Sequence, residues 1–244
     1  MQARLYSLAV SNPGHAVRLM LERKGIATQV TNLLPGMHPV MLRAVGFRGG
    51  TVPALKLDGK RVQGSLRIAR FLEQLKPHPP LFPADPERRA AVEEAEFWGE
   101  RELQEIPRRL FRWAAEGQPA VRRWLGELSG MPAPGLMGTL NLPVARRFAR
   151  VSGATDDAVR RDLHELPATL GRVDGYIDRG VVGAEEGNPA DFQLAGSIRI
   201  LLEFPQLRSL IEGRPSGQHS LRLLPQFPGP VPIELPAAWL PDGA

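Results

Sequence analysis

Thr51-Val52-Pro53-Ala54-Leu55-Lys56-Leu57-Asp58-Gly59-Lys60-Arg61-Val62-Gln63-Gly64-Ser65 is the stretch that decides the fold. It reads as a strand, a tight turn at Asp58-Gly59, a second strand and a helix start, running into the apolar repeat Leu66, Ile68, Ala69 and Leu72. Asp-Gly between two short strands is a strong hairpin signal. Pro53 stands at the mouth of the first strand, a place where a sheet normally tolerates no proline. A cis Val52–Pro53 bond, about 0.5–1 kcal/mol above trans, would turn the N–H and C=O of Val52 outward. They could then pair with an extended peptide as an edge strand does. Ser65 opens a helix whose free N–H groups and dipole favour a carboxylate. The stretch describes a docking platform for a small acidic peptide.

Upstream, residues 3–10 read as a strand. Asn12 before Pro13 marks a helix N-terminus, with Asn12 as the cap and proline at the first helical position. Val17, Met20 and Leu21 define one helical face that ends near Lys24-Gly25. A second strand is expected over 27–33 and a short helix around Pro39–Val45. With the hairpin and a helix over 65–75, the order is βαβαββα, a mixed sheet with helices packed on it.

Residues 77–86 hold five prolines, which excludes regular helix or central strand and marks a linker. Downstream the period becomes helical. Val92, Ala95, Trp98, Leu103, Ile106, Leu110 and Trp113 predict one long helix kinked at Pro107. Further helices are expected at 119–129, 140–151, 156–179 and 189–203, with a short one near 205–212. The last 30 residues hold seven prolines and little periodicity, which predicts an extended tail over the body or a partly disordered one. Phe97, Trp98, Phe111 and Trp113 recur at helical spacing, which favours core over pocket.

The chain of 244 residues is 43% hydrophobic, enough for a packed core. It has no apolar run long enough to span a membrane. The apolar patch Leu5–Val10 is too short for a signal peptide, so a cytoplasmic protein is expected. Cysteine is absent, which excludes a disulfide, a thiolate metal site and a cysteine nucleophile. Thiol chemistry here must use a thiol brought in by the substrate. His15, His38, His78, His164 and His219 lack metal-ligand spacing, so no metal is expected. The net charge is +5, yet acidic residues interleave with the arginines, as in Glu100-Arg101-Glu102. No basic stripe with stacking aromatics emerges, so no nucleic-acid partner is expected.

A small α/β unit, a proline-rich linker and a helical second half resemble the soluble glutathione S-transferase superfamily over about residues 3–212. The fold this implies is an α/β thioredoxin-like N-terminal domain followed by an all-α C-terminal helical domain. The boundaries expected are a thiol-binding domain at 1–76, a Pro-rich linker at 77–86, a helical domain at 87–214 and a Pro-rich C-terminal tail at 215–244. A second match is Asn188-Pro189-Ala190-Asp191, a capping box with Asn188 as cap and Asp191 bonding back to it. Gly187 stands where the apolar staple residue usually precedes the cap.

The resemblance assigns roles. A cysteine thiol has a pKa of about 8.5, so a hydroxyl donor beside a helix N-terminus helps to ionise it. Ser11 sits at that strand-to-helix turn, and Ser11-Asn12-Pro13-Gly14-His15-Ala16-Val17 is similar to the theta-class serine segment. Tyr6 is the alternative, because other classes use a tyrosine on this strand. The peptide-binding set would be His38 at the glycine end of the ligand, the Val52 backbone, Pro53, Gly64, and Ser65 for the γ-glutamyl carboxylate. Gly64 replaces the family's Glu or Gln, and Phe47-Arg48 replaces its Asn-Pro. The implied function is conjugation of glutathione, or another small thiol, to an apolar electrophile by a homodimer. A thiol-dependent isomerase of the maleylacetoacetate type, and a non-catalytic binding protein on the same fold, are the alternatives.

Overall fold

The computed structural model describes residues 1–241. The first domain has the expected order: β1 (Ala3–Ser7), α1 (Asn12–Arg23), β2 (Thr28–Asn32), α2 (His38–Ala44), β3 (Ala54–Leu57), β4 (Lys60–Gln63) and α3 (Ser65–Leu75). The sheet runs β2-β1-β3-β4, with β1 parallel to β2 and antiparallel to β3. Asp58 and Gly59 both have positive φ, as a two-residue hairpin turn with the right twist requires. Strand alternation sends Leu5, Leu55 and Leu57 to one face, where Val17, Met20 and Leu21 of α1 and Ile68, Ala69 and Leu72 of α3 cover them. Each large apolar side chain so buried contributes roughly 1.5–3 kcal/mol. The other face carries a smaller cluster of Tyr6, Leu33, Leu42, Phe47 and Ala54.

The start of α1 differs from the sequence reading by one residue, while that of α3 falls where it was expected. Ser11, not Asn12, caps α1: its backbone is extended and its Oγ accepts the Gly14 N–H at 3.2 Å. Asn12 and Pro13 are the first helical residues, which suits a proline that has no N–H to lose. At α3 the cap is Gly64, with φ +88, and Ser65 is the first helical residue. Glycine adopts that left-handed backbone without steric penalty, which is a physical reason for its presence.

The linker is held by a buried ammonium group. Lys24 Nζ donates to Glu73 at 2.6 Å and to the carbonyls of Lys76 and Pro79 at 2.7 Å each. The chain then enters α4 (Pro86–Trp98), α5 (Glu105–Gly117), α6 (Pro119–Leu128), α7 (Pro134–Leu140), α8 (Leu142–Val151), α9 (Asp156–Asp178), α10 (Pro189–Leu202), α11 (Arg208–Glu212) and α12 (Pro215–Leu223). Every residue of α10 is buried, and the expected capping box is present at Asn188 and Asp191. A Cβ on Gly196 would lie 2.8 Å from the Asn12 carbonyl oxygen, so glycine lets α10 press against the start of α1. Arg70 of α3 donates to the fully buried Glu96 of α4 and joins the two domains a second time.

Three expectations change. The long helix breaks at a π-turn over Gly99–Leu103 and not at Pro107, which lies in the first turn of α5 where a missing N–H breaks nothing. Helix α7 was hidden by its proline- and glycine-rich start, where Pro134 takes a first-turn position. The C-terminal stretch is not simply extended: Pro215–Leu223 forms α12 against α10. Beyond it Val231, Ile233 and Leu235 are buried in alternation. The Gln118 side chain clips the Glu234 backbone through both N–H and C=O, at 2.9 and 2.8 Å. No helix among the described residues is long and apolar enough to cross a membrane.

Candidate active-site cleft

A cleft of about 390 Å³ opens between the C-terminal end of β1, the chain entering β3, and helices α5 to α8. From the first domain, Ser11, Asn12, His38, Thr51 and Val52 form its wall. From the second come Arg108, Phe111, Arg112 and Ala115 of α5, with Val144 and Phe148 of α8.

Ser11 Oγ accepts the Gly14 N–H, and among the described residues its own O–H donates to nothing. A hydroxyl polarised by a helix N–H and free to donate is suited to holding an anion at this helix start. Val52 leads into the cis Val52–Pro53 peptide. Ladder pairing begins only at Ala54, and among the described residues neither the N–H nor the C=O of Val52 has a partner. The turn before it is held by Gln63, whose side chain bonds Gly49 N–H at 2.9 Å and the Thr51 carbonyl at 3.1 Å.

His38 is the first residue of α2, with its ring stacked 6.0 Å from Phe148. Burial, and then the nearby Arg112 guanidinium, hold its imidazole below the ordinary histidine range. It is therefore neutral at pH 7, and its Nδ1 is buried without a partner. Ser65 Oγ is likewise buried without a partner. An unmade hydrogen bond to a buried hydroxyl costs about 1–3 kcal/mol, so such an atom marks an interaction the chain does not complete by itself.

The cleft brings together Ser11, His38 and Val52. Pro53, Gly64 and Ser65 are not among the residues that line it; Gly64 N–H donates to the Pro53 carbonyl at 3.0 Å. Tyr6 is not brought in. It is 5% exposed, edge-on to Phe47 at 5.6 Å in the small cluster, and lines no part of the cleft. A side chain at an even position of β1 faces α2, which the strand alternation already implied. The sequence reading took Phe111 as core rather than pocket and passed over Arg112 and Phe148; all three line the cleft. The signal was present on α5: residues 108, 111, 112 and 115 share one helical face, next to the buried face of Ile106, Leu110 and Ala114.

The family model described as "Glutathione S-transferase, N-terminal domain" matches residues 5–80. The chain carries a glutathione S-transferase N-terminal domain. Among curated proteins, maleylacetoacetate isomerase from Rattus norvegicus is 51% identical over 99 residues, covering 36% of this chain and 43% of that protein. Maleylacetoacetate isomerase from Mus musculus is 35% identical over the same length and coverage. The chain thus spans less than half the length of the curated relatives it matches. Among solved structures, the beta-etherase LigF from Sphingobium sp. strain SYK-6 aligns with 91% of this chain and 99% of its own. Its TM-score is 0.61 at 20% identity. A rice glutathione S-transferase in complex with glutathione aligns with 94% of this chain and 91% of its own, TM-score 0.62 at 17% identity. Both have the glutathione S-transferase fold that this chain has, a thioredoxin-like sheet followed by helices.

Proposed function

We propose that the protein transfers glutathione, or a close thiol analogue, to an electrophile held against α5 and α8. The observation that carries this is the Ser11 hydroxyl, held by Gly14 and free to donate into the cleft shared with His38 and Val52. Ser11 would hold the thiolate and not attack. The backbone of Val52 pairs with the peptide, Pro53 and Gly64 shape the backbone around it, and Ser65 meets the γ-glutamyl carboxylate with its unpartnered hydroxyl. His38 is the neutral hydrogen-bonding group for the other end. The thiolate sulfur bonds to the electrophilic carbon, the leaving group departs with its electron pair, and the thiol proton passes to solvent. The resemblance to the superfamily supports a homodimer and a cytoplasmic location as part of the same reading.

Retention on immobilised glutathione, followed by conjugation of chlorodinitrobenzene, tests it. Ser11→Ala is expected to stay bound but to lose kcat/KM about a hundredfold, the size seen when one anion-stabilising donor is removed. No retention on any small thiol, or unchanged turnover in Ser11→Ala, refutes it. A second reading, a maleylacetoacetate-type isomerase, is favoured by the names of the curated relatives. There the thiolate adds to a double bond, the resulting single bond rotates, and elimination regenerates the thiol. Isomer conversion without consumption of glutathione distinguishes it.

A further inference from the structure

The cleft wall carries three guanidinium groups, Arg108, Arg112 and Arg122, and no aspartate or glutamate side chain among the described residues. Two of the three are occupied. Arg108 donates to Glu105. Arg122 closes the end of α5: its Nη1 donates to the carbonyls of Ala115 and Glu116 at 2.7 and 2.9 Å, and its Nε to Gly138 at 3.0 Å. Arg112 differs. Among the described residues it makes no hydrogen bond and no ion pair, and its guanidinium carbon lies 5.5 Å from the centre of the Phe148 ring. Burial, and then the charge of Arg108, lower it from the ordinary arginine value, against a smaller opposing pull from Glu105, whose carboxylate is bonded to Arg108. Arg112 is thus a half-buried cation with no hydrogen-bonded counter-charge.

A guanidinium without a partner in an apolar cleft is favourable only if something brings an anion to it, and its planar fork fits a carboxylate on two bonds. What surrounds it is flat and apolar. Phe148 lies beneath it, the His38 ring stacks on Phe148, and Phe111 stands one residue away on the same helix face. We propose that Arg112 reads a carboxylate on the second substrate, and that this substrate is an aromatic acid. The apolar electrophile expected from the sequence is thereby narrowed to one with an anionic end. The inference rests on the reading of the cleft as the thiol-transfer site. Glutathione also has carboxylates, so the test must tell the two sources apart.

The probes are a chlorodinitrobenzoate and the matching chlorodinitrobenzamide, which differ only in the charge. In both, the thiolate sulfur bonds to the chlorine-bearing ring carbon, chloride leaves with the bonding pair, and the thiol proton goes to buffer. Arg112→Gln is expected to lower kcat/KM for the acid about tenfold or more, while the amide and the KM for glutathione change less than about twofold. Arg112→Lys recovers part of the loss on the acid. Equal losses on acid and amide overturn the proposal. So does a raised KM for glutathione with the aromatic acid unaffected, which assigns Arg112 to the thiol. A titration of para-nitrobenzoate without glutathione, followed by tryptophan fluorescence, separates the two readings. Arginine-dependent binding without turnover upholds the carboxylate site and removes the transferase function. No binding to the wild type removes the carboxylate site.

Discussion

Glu96 makes the structure open to a sharp test. Its carboxylate is fully buried between α3 and α4, one oxygen held by Arg70 and the other without a partner. Burial raises its pKa from the ordinary 4.5 to about 7, against the lowering pull of Arg70, and Glu100 and Glu93 add a smaller push. A carboxyl whose folded pKa lies above its unfolded value binds its proton more tightly in the native state. Its contribution is full below the unfolded value of 4.5 and is lost as pH rises through the folded value of about 7. At about 1.4 kcal/mol per pH unit, that gap corresponds to about 3 kcal/mol. The wild type alone does not display it. His15, which burial and then the charge of Arg18 lower to about 4, acts in the opposite direction over nearly the same window. A histidine with a depressed pKa gains stability as pH rises, so the two slopes largely cancel. Glu96→Gln removes one of them. Urea unfolding of wild type and Glu96→Gln at several pH values between about 4.5 and 7.5 gives the stability difference at each pH. The advantage of the wild type over Glu96→Gln should shrink by about 3 kcal/mol across this range, and the variant alone should become steadily more stable as pH rises. A pH-independent difference, or one that grows with pH, refutes the burial argument.

Other outcomes follow from the same geometry. Ser65→Ala removes a buried hydroxyl that bonds to nothing in the chain. Stability should hold or rise slightly, while the KM for glutathione rises about tenfold, read by urea unfolding and steady-state kinetics on one preparation. Tyr6→Phe should leave kcat/KM within about twofold, because the ring packs against Phe47 and stays out of the cleft; a large loss would return the thiolate role to Tyr6. Gly64→Ala should lower stability by about 1–2 kcal/mol in thermal or urea unfolding. The added methyl meets nothing within 4 Å, so the whole effect comes from φ +88.

The first domain was legible because its signals are local. Asp58-Gly59 admits one kind of turn, the strands alternate, and Asn12-Pro13 brackets a helix start to within one residue. The capping box at Asn188 and Asp191 was legible for the same reason: its bonds span three residues. The errors lie where the chain's neighbours decide. Pro107 looks like a kink until the π-turn before it places it in a first turn. The residues after Arg214 look like an extended tail until α10 and the clipping Gln118 side chain supply partners for α12 and the buried alternation beyond it.

The site divides in the same way. Ser11, Val52, Pro53, Gly64 and Ser65 could be singled out as candidates because each belongs to a turn or helix start whose backbone exposes hydrogen-bonding groups, and that geometry is written in a few consecutive residues. His38, Arg112 and Phe148 come from three different helices, and only packing sets them side by side. Sequence alone determined that the chain forms a βαβαββα unit with free backbone groups at two helix starts and no thiol of its own. The tertiary structure decided which groups face one cleft, that Tyr6 does not, and that Arg112 has no hydrogen-bonded counter-charge among the described residues. Local chemistry can specify a helix cap, but the absence of a partner is a property of everything packed around a residue.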